Sequence, residues 1–365
     1  MQKAQTTSWK TKRKGAFLPY IHNFRGIAIL YIVAFHCLSS FDWGENILQK
    51  RICNSLVVYG TVLFVFIAGF LFQHLNANNN FNYKTYLKKK TAYVILPYII
   101  ASIPAILDKL YLPPTKYPWM PSFVEESNWL IQVGFMLLTG KHFGPFWFIP
   151  MVTLIYLLSP VLLFLDQTKW FYRFVFPLIF MAGFFLYRFG HNSAVFESLL
   201  YFLPIYIFGM WASFNRELIL SKGNELLIPL VLIYVAITSL EIIDVLAIGK
   251  TYAYDDTLKQ NAYLFNFGKF KVSALCIVFM LLLYRLKHIK APVLKTLAVY
   301  SFGIFFVHLY IIRVLELITT KMNASITFNS LVYLIHISLI IFICLAIVKL
   351  AKVVTGKYSR FLIGC

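Results

Sequence analysis

Arg25 and His36 lie eleven residues apart in FRGIAILYIVAFHCLSSF, an apolar run long enough to cross a bilayer and otherwise almost free of ionisable groups. At about 100° and about 1.5 Å per residue, that spacing returns the two side chains to within ~20° of each other and separates them by ~16 Å along the axis. They share one helix face at two depths. Ionisable side chains in hydrocarbon are costly, so they usually face a protein interior or a hydrated cavity and mark a pathway or a reaction site. A neutral imidazole can take the proton of a hydroxyl nucleophile, the general-base role. A guanidinium stays protonated, and its planar fork suits a phosphate or a carbonyl oxygen. Each residue also has a plainer role open to it: His36 as a core histidine bonded to a neighbouring helix, Arg25 as a side chain reaching for the headgroups.

The elements that must position this pair are membrane helices. The 365 residues are 60% hydrophobic, 18% aromatic and 13% charged, with a mean hydropathy of +0.72, which excludes an ordinary soluble domain. The chain reads as an all-α, polytopic integral membrane protein. Apolar runs near 24–42, 54–75, 92–112, 145–165, 171–188, 197–214, 226–247, 270–286, 297–319 and 328–350 give about ten transmembrane helices. WLIQVGFMLL at 129–138 is too short to cross and reads as interfacial or re-entrant. With both termini cytoplasmic, 21 lysines and arginines fall on the inner side and 11 on the outer. That bias supports the N-in, C-in orientation, and it accounts for the net charge of +20 without a nucleic-acid partner. The inner clusters Lys10 to Lys14, Lys84 to Lys90, Arg285 to Lys295 and Lys349 to Arg360 would attract anionic headgroups and also a polyanionic cytosolic metabolite.

The organisation is a basic N-terminal tail (1–23), one transmembrane domain (24–350) and a basic C-terminal tail (351–365). The first run is read as a retained helix rather than a cleaved signal, because it is long, contains an arginine and lacks a small-x-small cleavage site. The outer connections 113–144 and 248–269 are the longest, and neither could hold a soluble domain, so any chemistry must come from the helices and these loops. Cys37, Cys53, Cys276, Cys344 and Cys365 show no CxxC spacing, and neither a disulfide framework nor a metal site is expected. Further polar residues at depth are His308 and Arg313 in the ninth run, where Arg313 and Glu316 are spaced to pair, and Glu241 and Asp244 near the outer end of the seventh, which have no such partner in sequence and are candidates to hold acceptor hydroxyls. Trp147, after Gly144, Pro145 and Phe146, suits a bent helix entry and reads either as an interfacial anchor or as a sugar platform.

FRGIAILYIVAFH resembles the arginine-x10-histidine first helix of the membrane-bound acyltransferase 3 family. Four further segments resemble that family in the same order: GTVLFVFIAGFLF at 60–72, KKKTAYVILPYI at 88–99, FGPFWFIPMVTLIYLLSP at 143–160 and VYSFGIFFVHLYIIR at 299–313. The resemblance implies transfer of an acyl group, usually acetyl, from a cytosolic acyl-CoA to a hydroxyl of an exported glycan or lipid-linked saccharide, in the inner (cytoplasmic) membrane. It matches His36 and Arg25 to the catalytic pair. Lys88, Lys89, Lys90, Trp147, His308 and Arg313 are the expected substrate-binding residues, acyl-CoA (acetyl-CoA) the donor, and membrane lipids the surroundings. Three positions depart from the family pattern: His22 where an acidic residue is common, Ala68 for a serine, and Lys90-Thr-Ala-Tyr93 for an arginine-x-x-arginine. The rival reading of the same residues is a transporter or flippase of a lipid-linked saccharide, disfavoured by the lack of a repeat between the two halves.

Overall fold

In lipid no water satisfies exposed backbone N–H and C=O groups, so apolar runs of this length fold as helices. A computed structural model describes residues 17–76, 81–111, 117, 119–168, 170–188, 194–243, 265–323 and 326–365. Along the chain the α-helices are α1 (Pro19–Cys37), α2 (Ile47–Val57), α3 (Gly60–Asn76), α4 (Tyr83–Lys90), α5 (Leu96–Tyr111), α6 (Ser122–Glu125), α7 (Trp129–Thr139), α8 (Phe148–Leu157) and α9 (Ser159–Asp166). They continue with α10 (Phe176–Ala182), α11 (Val195–Phe214), α12 (Arg216–Ser221), α13 (Gly223–Ile242), α14 (Phe267–Arg285), α15 (Pro292–Lys321), α16 (Ser330–Thr355) and α17 (Ser359–Leu362). Among the described residues there is no strand, only one bridge between Asp42 and Thr327. The protein is an all-helical, multi-pass membrane protein.

Among the described residues, seven helical stretches are long and apolar enough to cross a bilayer: Ile47–Asn76, Tyr83–Tyr111, Val195–Phe214, Gly223–Ile242, Phe267–Arg285, Pro292–Lys321 and Ser330–Leu362. An eighth is broken, with Gly144–Leu157 and Ser159–Asp166 meeting at 54°. Pro160 follows the break, and a proline so placed withholds the N–H that would continue the ladder. The run expected at 171–188 is instead a short, irregular helix over Phe171–Phe185. Two expected starts also shift: the helix through 54–75 begins at Ile47, and that through 92–112 begins at Tyr83, where the Asn82 side chain accepts from Thr85 N–H.

α1 falls outside the seven because His22, Asn23, Arg25 and His36 lower its hydropathy, yet it is a central helix. Phe24 and Ala28 sit in one hydrophobic core with α3, α11 and α14, whereas Ile29, Val33 and Cys37 sit in a second with α15 and α16. The seam between α1 and α15 is closed at Gly26, where a Cβ would lie 2.4 Å from the Leu294 carbonyl oxygen. α3 and α11 meet in the same manner, with Gly69 against Tyr206 O and Gly209 against Phe66 O. Small residues that let backbones approach are the usual device for helix association in lipid.

Gly26→Val should therefore force α1 off α15 and cost about 1–3 kcal/mol. Gly134→Val, where a Cβ meets nothing within 4 Å, serves as the control. Thermal unfolding in detergent should show a lowered transition for the first variant and an unchanged one for the second; equal transitions would contradict the packing assigned to Gly26.

Candidate active site

α1 carries both candidate residues on one unbroken helix, so their separation is set by helix rise alone. At the N-terminal end, Arg25 Nη2 donates to Ser301 Oγ on α15 at 2.7 Å, and Ser301 in turn donates to Ala298 O at 3.0 Å. Two more cations gather within electrostatic reach of Arg25: Lys90 from the end of α4 and Arg360 from α17. The Lys90 ammonium lies 4.5 Å from the centre of the Tyr156 ring and 5.3 Å from that of Tyr86. The Arg360 guanidinium lies 4.1 Å over Tyr93, and Phe361 packs on the same ring at 5.2 Å. The chain thus folds back on itself at this end and sets a guanidinium over the tyrosine that stands where the family pattern has an arginine. Among the described residues no carboxylate pairs with any of the three cations. Lys88 and Lys89, expected to act with Lys90, point outward and are exposed, because a helix can turn only one of three consecutive side chains onto Tyr156.

At the other end His36 lines a cavity of about 600 Å³. Its wall includes Lys50 and Asn54 of α2, Gly144 and Trp147, Arg188, and Arg313 and Glu316 of α15. Arg25 is not in that wall, so the two residues serve opposite ends of α1 rather than one shared chamber. Trp147 lines the cavity. It stacks on Phe202 with centroids 5.6 Å apart and planes at 20°, and the Arg188 guanidinium lies 3.5 Å over its ring. Arg188 Nε donates to Ser198 Oγ at 2.9 Å, which fixes the plane of the fork. Arg313 sits 5.5 Å over Phe143, itself stacked on Tyr310 at 4.1 Å. Arg313 and Glu316 both face the cavity within electrostatic reach of each other, as their spacing suggests, without a direct salt-bridge contact.

His308 does not bind in this cavity. It is fully buried behind His36, with ring centroids 5.1 Å apart. Its Nδ1 lies 2.8 Å from Phe305 O and 3.1 Å from Ile304 O, so Nδ1 carries the proton and Nε2 a lone pair, which has no protein partner. His142, in the loop before the broken helix, is also off the cavity; burial holds its imidazole down at about 4, and Nδ1 bonds Met136 O.

The acidic residues expected to hold hydroxyls are placed differently. Glu241 is buried in an ion pair with Lys271, and Ser55 donates to the same carboxylate. Lys271 also donates to Ser55 O at 2.7 Å and to Ser55 Oγ at 2.8 Å. Asp244, Asp255, Asp256 and Lys259 lie outside the described residues. Lys269, counted from sequence with the outer loop as Lys271 was, is likewise fully buried and donates to Gly183 O and Tyr201 O at 2.6 and 2.7 Å. Sequence reading missed Arg188 as a site residue. It looked like one more loop charge in FLYRFG, and only the fold brings it to Trp147 and Ser198.

Among the described residues, no group of histidines, cysteines and carboxylates could hold a metal ion. The decisive comparison is with protein families: the profile of the acyltransferase 3 family, an acyltransferase domain, matches residues 18–349, nearly the whole chain. The chain belongs to the acyltransferase 3 family. It is a membrane acyltransferase, a transferase of groups other than aminoacyl groups. Neither the curated proteins nor the solved structures contain a match.

The placement of Glu241 in this acyltransferase makes a test. Lys271→Met leaves a buried carboxylate without its cation and should cost about 3–5 kcal/mol of stability. The double variant Lys271→Met/Glu241→Leu should recover most of that loss in thermal unfolding. If the single and double variants unfold alike, the pair is not the lock described.

Proposed function

We propose that this acyltransferase moves an acyl group, acetyl in the expected case, from a cytosolic acyl-CoA to a hydroxyl of an exported glycan or lipid-linked saccharide in the cytoplasmic membrane. The observation that carries the reading is the division of labour along α1: a cluster of cations at the Arg25 end and a cavity opened by His36 at the other. With Lys269 and Lys271 inside the bundle, the outer count of basic residues falls to nine, which supports the Arg25 end as the cytoplasmic one.

In this mechanism Arg25, Lys90 and Arg360 hold the phosphates of the donor at the inner end. Arg25 and Arg360 supply planar forks and Lys90 a point charge. An extended pantetheine arm covers the ~16 Å rise to His36. The acceptor hydroxyl enters the outer cavity and lies against His36, which takes its proton as the oxygen attacks the thioester carbonyl. The carbon–sulfur bond breaks as the tetrahedral intermediate collapses, and the imidazolium returns the proton to the departing thiolate. His308 is a positioning residue: its tautomer is fixed by two backbone carbonyls, so its Nε2 lone pair is available to steady the His36 imidazolium.

Purified protein in lipid, supplied with labelled acetyl-CoA and envelope glycans, tests this directly. His36→Ala should abolish ester formation while leaving acyl-CoA binding intact; undiminished turnover would remove His36 from the chemistry. Arg360→Ala should raise the KM for acyl-CoA about tenfold with kcat little changed, as expected for loss of about 1.4 kcal/mol of charge-assisted binding. An unchanged KM would place the donor elsewhere.

A further inference from the structure

A groove on the outer surface of the bundle shares no lining residue with the His36 cavity. Its volume is about 380 Å³, and its walls are Lys88, Thr91, Ala92, Ile95, Leu96 and Ile99. All six belong to one helical stretch, Tyr83–Tyr111, and the groove straddles the π-turn Thr91–Ile95 that joins α4 to α5. A π-turn carries an extra residue, which moves side chains off the regular α-helical stripe, and such turns often mark functional positions.

The groove is polar at one end and apolar at the other. Lys88 and Thr91, both exposed, stand at the Lys90 end, and Ala92, Ile95, Leu96 and Ile99 continue it towards the middle of the span. From Lys88 to Ile99 the helix rises about 16 Å, close to the ~15 Å hydrocarbon depth of one leaflet. Ile99 also lines a separate groove of about 550 Å³ between α5 and α7, so the first stops where the second begins. Lys84 and Lys89 are exposed on α4 as well, α4 holds no acidic residue, and among the described residues no carboxylate pairs with Lys84, Lys88 or Lys89. A second copy of the chain, related by a twofold axis along the membrane normal, would set Lys88 near its own counterpart, and like charges repel. An anion with a hydrocarbon chain satisfies both ends of the groove.

We propose that this groove holds an anionic phospholipid from the leaflet on the Arg25 side. The Lys88 ammonium and the Thr91 hydroxyl donate to the headgroup phosphate, and one acyl chain lies along Ala92, Ile95, Leu96 and Ile99. Lys84 and Lys89 raise the local concentration of anionic headgroups. Two lysines of one helix thus serve different ligands: Lys88 turns outward to lipid, and Lys90 turns inward to the cluster around Arg25. Lipid binding here is separate from the acyl-transfer chemistry, so neither reading falls with the other.

The test is native mass spectrometry of the full-length, delipidated protein in neutral detergent, given phosphatidylglycerol and phosphatidylcholine of matched chains in equal amounts. Phosphatidylglycerol should occupy the first bound position about fivefold more often than phosphatidylcholine, the effect expected of one lysine close to an anionic headgroup, and the preference should shrink as salt is raised. Lys88→Gln should bring the two lipids to within about twofold of each other. Lys290→Gln removes an exposed lysine elsewhere at the same end of the bundle and should leave the preference unchanged. Leu96→Trp fills the apolar part of the groove at an exposed position without altering charge, and should lower retention of phosphatidylglycerol severalfold; it carries the test if Lys88→Gln fails to fold. Equal binding of the two lipids, an equal loss of preference in Lys88→Gln and Lys290→Gln, or full retention in Leu96→Trp would overturn the proposal.

Discussion

The contact on which the rest depends is the close approach of α1 to α15 at Gly26. With the Leu294 carbonyl 2.4 Å from where a Cβ would be, no other side chain fits without moving one helix. That single approach fixes the register of two long helices, and register decides which side chains meet. Toward one end it brings Arg25 to Ser301. Toward the other it brings His36 to His308 and opens the cavity beside Arg313 and Glu316. Both ends of the proposed reaction path are consequences of one seam.

The bundle tolerates charge in its interior by three different means. Lys271 and Glu241 neutralise each other and share Ser55, a pair that locks α2, α13 and α14 together. Lys269 has neutral partners alone among the described residues, two backbone carbonyls and the Tyr201 ring 3.9 Å away, and so ties the end of the irregular helix to α11. A third group, Lys90, Arg313 and Arg360, rests on aromatic rings, which hold a guanidinium or ammonium in place.

Much of this was legible in the sequence where periodicity or cost carried the signal. Arg25 and His36 stand out because an apolar run makes ionisable residues expensive, and helix geometry alone places them on one face. The membrane helices follow from hydropathy, although that of α1 itself is lowered by the very residues proposed to carry its function. What could not be read were long-range meetings. Lys269 and Lys271 look like loop charges until α14 is seen to carry them inward, and Arg188 looks like a flanking residue until Trp147 is placed under it. Lys88, Lys89 and Lys90 are indistinguishable by type, and only the pitch of α4 selects Lys90. Tyr93 reads as a lost arginine, whereas the return of α17 lays Arg360 across it. Glu241 appeared unpartnered because its cation lies 30 residues on in sequence.

The central claim is that α1 links a donor site at Arg25 to a reaction site at His36. An experimental structure with a non-hydrolysable thioether analogue of acetyl-CoA tests it most directly. The account predicts the nucleotide phosphates against Arg25, Lys90 and Arg360, with the pantetheine arm running along α1 and its acyl end beside the His36 imidazole. Phosphates bound in the outer cavity, or an acyl end walled off from His36, would contradict it.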